Sequence, residues 1–228
     1  MKKQTFFIAV FGLLWATCLH AQKLYPCCKG TDKWGYCLDD GDNMENNDKV
    51  MIDLKYDDAG GFFSEGLAWV KLNGKYGFID KNGKTVITHK YDDAWYFNEG
   101  LAPVKYNGKY GFIDKTDKVI IPFQYERLAG FSEGMAKVAL NGKCGFIDKT
   151  GKIVIPLKYD DASSFSEGLA PVGIKNKYGF IDRTGKEVIP LKYDYVSYFK
   201  NGKAEVRIDD KWFVIKKLPN NKFIEEPK

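Results

Sequence analysis

Residues 67–80 alternate between apolar runs and a polar break: LAWVKL, then Asn73-Gly74, then KYGFID. Two apolar runs around an Asn-Gly pair predict a β-hairpin with a two-residue type I′ turn. Such a turn pairs Leu72 with Lys75, Val70 with Gly77, Trp69 with Phe78 and Ala68 with Ile79. Because side chains alternate along a strand, one face carries Ala68, Val70, Gly77 and Ile79, and the other Leu67, Trp69, Tyr76 and Phe78. Both faces are apolar, unlike a sheet with one side in water, so each must be covered. Gly77 lies opposite Val70, and its missing side chain predicts close approach by adjacent backbone.

The same pattern returns every 34 residues. NGKYGFIDKNGK starts at Asn73, NGKYGFIDKTDK at Asn107, NGKCGFIDKTGK at Asn141 and KNKYGFIDRTGK at Lys175. An earlier copy, KWGYCLD, holds Gly35, and a partial copy, KWFVIKK, starts at Lys211 with Phe213 in place of the glycine. FSEG and its variants end at Gly66, Gly100, Gly134, Gly168 and Gly202; YDDA and its relatives begin at Tyr56, Tyr91, Tyr125, Tyr159 and Tyr193. After each hairpin a second tight turn leads into a third strand, which Pro122, Pro156 and Pro190 are expected to end, since proline cannot donate within a central ladder. The YDDAxxFSEG segment reads as a turn-rich connection with room for a short helical turn. The predicted fold is all-β: a tandem array of about five 34-residue, three-stranded antiparallel repeats, each completed by its neighbours. It is read as an open superhelical stack. The alternative is a closed propeller-like ring, since the series begins in mid-unit and ends with the matching strand, although three strands make a thin blade.

The aromatic-glycine pairs Trp34-Gly35, Tyr76-Gly77, Tyr110-Gly111 and Tyr178-Gly179, with Cys144-Gly145 as a variant, are followed by GFIDKxGKxVIP and YDDAxxFSEGLAxV. This pattern resembles the bacterial WG repeat, named for its Trp-Gly or similar pair, over most of residues 33–215. The resemblance implies a repeat scaffold, often secreted or surface-associated, and carries over no catalytic residue. Departures are the acidic insert DDGDNMENND in the first unit and Phe213.

Outside the array, residues 1–21 form a basic head, an apolar run and Ala21, which reads as a secretory signal cleaved after Ala21; a lipoprotein anchor at Cys18 is the competitor. Residues 22–32 read as a linker with a cysteine pair and 216–228 as a polar tail. The expected location is secreted or periplasmic, with no transmembrane span in the mature chain. In an oxidising compartment Cys27, Cys28, Cys37 and Cys144 allow three full pairings, with a small loop from Cys27 or Cys28 to Cys37 the plausible bridge. The net charge of +5 falls to +3 without Lys2 and Lys3, and opposite charges are interspersed, so no basic stripe suggests nucleic acid.

Candidate chemistry is sparse. His89 is the one histidine left after the signal, and no nucleophile-base arrangement can be built around it. It aligns with Phe123, Leu157 and Leu191 and is read as a packing residue. The recurrent pairs Asp57-Asp58, Asp92-Asp93 and Asp160-Asp161, and the series Asp80, Asp114, Asp148 and Asp182, are read as turn-forming aspartates. Calcium at Asp39, Asp40, Asp42, Glu45 and Asp48 matches no EF-hand spacing. No cofactor or metal is expected, and the protein is read as non-catalytic. Trp69, Trp95, Tyr96 and Tyr106 differ from unit to unit, unlike the recurring Phe78-type residue, and are the candidate ligand contacts. The expected partner is a protein or envelope component; a glycan stacked on these aromatics is the alternative.

Overall fold

The computed structural model describes residues 23–28, 30–39, 50–219 and 222–228. The signal segment, Cys18 and nearly all of the acidic insert lie outside the described residues. In the second of six small sheets, Leu67–Leu72 pairs with Lys75–Asp80 in the predicted register, with Val70 opposite Gly77 and Trp69 opposite Phe78. Asn73 and Gly74 have φ of 51° and 78°, the two left-handed residues a type I′ turn requires. Lys175-Asn176, at 50° and 59°, and Asp209-Asp210, at 48° and 57°, hold the same geometry without glycine.

The third strand, Thr85–Tyr91, pairs Tyr76 with Tyr91 and Phe78 with Ile87, so the residues between bulge from the ladder. Pro122, Pro156 and Pro190 lie in the matching bulges, inside strands Val119–Tyr125, Ile153–Tyr159 and Glu187–Tyr193. The expectation that they end the strand is therefore corrected: a bulge withdraws the residue from pairing, so its missing N–H costs no ladder bond. The bulge also presses on the glycine. A Cβ at Gly77 would lie 2.6 Å from the Ile87 carbonyl oxygen, and one at Gly111 2.5 Å from that of Ile121. The approaching backbone is the sheet's own third strand.

Where a helical turn had room, the chain adds a short fourth strand. Asp58–Ala59 pairs with Lys71 and Val70, and Ser64 and Leu67 form a bridge beyond it. The outward carbonyls of Leu67–Leu72 are thereby used: Lys71 and Trp69 accept from the Asp57 and Gly60 amides. Sheets two to six each have four strands; sheet one has three, Lys23–Cys27, Trp34–Asp39 and Val50–Tyr56. Strands extend past both expected limits, because Lys23–Cys27 lies in the linker and Phe223–Pro227 in the tail, where it pairs with Lys211–Lys217.

Five apolar cores lie between the six sheets. Ala68, Val70 and Ile79 pack against Tyr36, Ile52 and Tyr56 of sheet one. Leu67 and Phe78, on the other face, pack against Phe97, Ala102, Val104 and Ile113 of sheet three. Each hairpin is thus covered on both sides by its neighbours, as its two apolar faces demand. Among the described residues none of the five cores joins sheet six to sheet one. The terminal faces also differ: Lys203, Glu205 and Val214 stand where Leu67, Trp69 and Phe78 stand in sheet two, a polar cap of the kind repeat arrays need.

At the other end Cys27 and Cys37 form a disulfide, and Cys28 and Cys144 are the thiols among the described residues. Closing so short a loop is worth about 2–3 kcal/mol by chain entropy. Reduction is expected to release amide protection in residues 24–38 before the rest of the array. Uniform loss of protection in hydrogen exchange would contradict this.

Candidate recognition surface

The recurrent carboxylates hold the array together. Asp92 accepts from Lys75 Nζ at 2.6 Å within its own unit and from the Gly108 amide, in the next hairpin turn, at 3.1 Å. Asp57, Asp160 and Asp194 repeat the device with Lys33, Lys143 and Lys177. The FSEG glutamates reach one unit further: Glu65 accepts from the Gly100 amide at 3.1 Å and Glu133 from that of Gly168. Beside them, the Ser132 and Ser166 hydroxyls donate to the Phe165 and Phe199 carbonyls at 2.9 and 2.7 Å. Asp80, Asp114, Asp148 and Asp182 each accept from the amides two and four residues on, as turn aspartates do.

Lysine ammoniums first, and turn amides second, pull Asp57, Asp92, Asp160 and Asp194 below the ordinary aspartate value. A carboxylate depressed in the folded state stabilises above its unfolded pKa of about 3.9, and that stabilisation is lost as pH falls through the folded value. The steepest fall in melting temperature is therefore expected below about pH 4, and Asp92→Asn should shrink it; an unchanged acid limb would count against the ladder.

Of the predicted contacts, Trp69 and Tyr96 come together, with ring centroids 6.1 Å apart. Sequence reasoning missed their third member: Phe62, 50% exposed, stacks on Tyr96 at 4.1 Å and 10° between planes. The Tyr96 hydroxyl accepts from the Gly61 amide. Trp95 is 46% exposed, and its Nε1 lies 3.4 Å from Asp93 Oδ2. Tyr106 lies apart, against Tyr91 and Phe123. His89 is half-buried near Tyr56, and burial first, then Lys55, lowers its pKa.

A different group surrounds the junction of sheets five and six. A cavity of about 420 Å³ opens between them, lined by Asp161, Pro171, Tyr178, Asp194, Tyr195 and Tyr198 among others. Tyr198 is 59% exposed. It aligns with Tyr96, Gly130 and Ser164, so the unit-to-unit variation that singled out Tyr96 would have singled it out too. Among the described residues no group of three or more His, Cys, Asp or Glu is arranged to hold a metal, and no helix is long and apolar enough to cross a membrane.

Five successive segments, 44–76, 76–110, 110–144, 145–178 and 178–212, match the WG containing repeat. The chain belongs to the WG repeat family. No curated protein matches it. Among solved structures it is similar to Hsv2p of Kluyveromyces lactis (10% identity, TM-score 0.54) and Hsv2 of Kluyvelomyces marxianus (11%, 0.53), each over 92% of this chain and 82% of theirs. It is also similar to a eukaryotic initiation factor structure (11%, TM-score 0.58) over 85% of this chain and 60%, less than two thirds, of that one. At these identities the likeness is one of fold: propeller-like successions of small antiparallel sheets. In this WG repeat array the aromatic of the pair carries a cation from the same chain in sheets two and three, as does Trp212 at the matching position of sheet six. Lys71 Nζ lies 5.2 Å from the Tyr76 centroid, Lys105 Nζ 5.3 Å from that of Tyr110, and Arg207 Cζ 5.8 Å from that of Trp212.

Proposed function

We propose that this WG repeat protein is a non-catalytic, exported scaffold that binds a protein or cell-envelope partner along its inter-sheet grooves. The supporting observation is a division of labour: Asp57, Asp92, Asp160, Asp194 and the FSEG glutamates are committed to amides and lysines of the array, while the groove positions vary between units. Repetition without a unique chemical constellation suits a surface rather than a reaction centre. A glycan-binding reading draws on Phe62 stacked on Tyr96 beside Trp69. The test is saturable binding of the full chain to envelope proteins, with joint replacement of Phe62, Trp95 and Tyr198 by alanine expected to abolish it without changing the circular dichroism. Binding untouched by these replacements would overturn the scaffold reading. Glycan-array hits that shift tryptophan fluorescence would favour the second.

A further inference from the structure

We propose, building on the scaffold reading, that the groove between sheets five and six receives a lysine or arginine side chain from an extended segment of a partner protein. The chain shows what such a groove holds elsewhere. Trp69, Pro103, Lys137 and Pro171 occupy one position in sheets two to five, each opposite the phenylalanine of its hairpin. At the junction of sheets four and five, Lys137 crosses over, and its ammonium donates to the Ala162 carbonyl at 2.8 Å. One unit later Pro171 replaces that lysine, and the counterpart of Ala162 is Val196, in the wall of the 420 Å³ cavity.

The neighbouring position repeats the vacancy. Lys71, Lys105 and Arg207 place their charges over Tyr76, Tyr110 and Trp212, but in sheet five Gly173 stands opposite Tyr178, and no cation among the described residues lies over Tyr178. Sheets two, three, four and six each carry one basic side chain at these two positions, Lys71, Lys105, Lys137 and Arg207, and sheet five carries none. What remains is an acceptor-rich site. Among the described residues no lysine or arginine lines the cavity. Asp194 is engaged by Lys177 at 2.6 Å and by the Asp209 amide. Asp161 uses Oδ1 for the Ala162 amide at 2.8 Å, and its Oδ2 makes no hydrogen bond among the described residues. A visiting ammonium or guanidinium would meet that oxygen and the faces of Tyr178, Tyr195 and Tyr198, combining a charge-assisted hydrogen bond with cation–π attraction. Sugar hydroxyls need donors as well as acceptors, and here serine and tyrosine hydroxyls are the side-chain donors.

The test uses the full chain and fluorescently labelled tetralysine, followed by anisotropy, with tetraglutamate and chitotriose as comparison ligands. Tetralysine is expected to bind one site and to weaken as salt rises, since the pairing is partly solvent-exposed. Pro171→Lys, which fills the groove as Lys137 fills its own, should abolish binding. Asp161→Asn keeps the Oδ1 acceptor for the Ala162 amide while removing the charge, and should weaken binding about tenfold. Tetralysine binding unchanged in both variants would overturn the proposal, as would chitotriose binding that Pro171→Lys removes in a protein indifferent to tetralysine. If tetralysine fails while saturable capture of envelope proteins persists and still needs Phe62, Trp95 and Tyr198, the lysine assignment falls and the scaffold reading stands. If that capture fails too, both fall.

Discussion

Gly145→Ala is expected to destabilise the array by about 2–4 kcal/mol, as overpacking against an immovable neighbour does. The added Cβ would lie 2.5 Å from the Ile155 carbonyl oxygen and 2.8 Å from the Leu157 amide nitrogen and the Pro156 carbonyl carbon. All three are backbone atoms of the third strand, so no rotamer change can relieve the clash. The bulge cannot easily retreat either, because Pro156 fixes its own φ and Ile155 is buried in the core with Phe146. Two controls separate this cause from a general dislike of alanine. Gly130 has nothing within 4 Å of a built Cβ, so Gly130→Ala should stay within about 0.5 kcal/mol of the parent. Gly108 also has open space but sits at a φ of 78°, so Gly108→Ala should cost about 1 kcal/mol through backbone strain alone. Urea denaturation of the three variants gives the comparison. Equal midpoints for Gly145→Ala and Gly130→Ala would show that the third strand does not press on the aromatic-glycine pair.

That clash marks the boundary of what the sequence discloses. Asn73-Gly74 fixes a two-residue turn, the turn fixes the register, and the register sets which side chains share a face; every step is local, so the hairpin and its two apolar faces were legible. The bulge at Pro122, Pro156 and Pro190 was not, because a proline that ends a strand and one that sits in a bulge look alike until the partner strand is placed. The Glu65 staple was hidden for another reason: its acceptor role is defined by an amide 35 residues away, and no short-range pattern announces that distance. Of the candidate contacts, Trp69 and Tyr96 were found by their variation between units, whereas Phe62 was masked by the extra residue in GGFFSEG. The open groove escaped notice because its signal is a loss. Pro171 and Gly173 become informative only when set beside Lys137 and Lys105 on the same face of successive sheets.

The second large effect follows from the linear order of the cores. Phe146→Ala should cost about 3–5 kcal/mol, the usual range for a buried phenylalanine whose cavity cannot collapse. Phe146 is fully buried, and its ring lies 4.8 Å from Phe165 across the junction of sheets four and five. In a quasi-one-dimensional array each interface couples only neighbours, so weakening a central one should separate the ends. Sheets one to four would then unfold apart from sheets five and six, and the single transition would broaden or divide. Hydrogen exchange should place the first loss of protection on strands Lys143–Asp148 and Leu169–Ile174, which flank the altered junction, with sheets one and two least affected. A closed ring would behave differently: the two blocks would stay coupled through contact between the last sheet and the first, and one weakened interface would be shared by the whole. Among the described residues none of the five apolar cores joins the last sheet to the first, and the last sheet offers Lys203 and Glu205 at the core positions, so divided unfolding is the expected result. A single sharp transition in Phe146→Ala, with protection lost evenly from all six sheets, would require contact between the last sheet and the first.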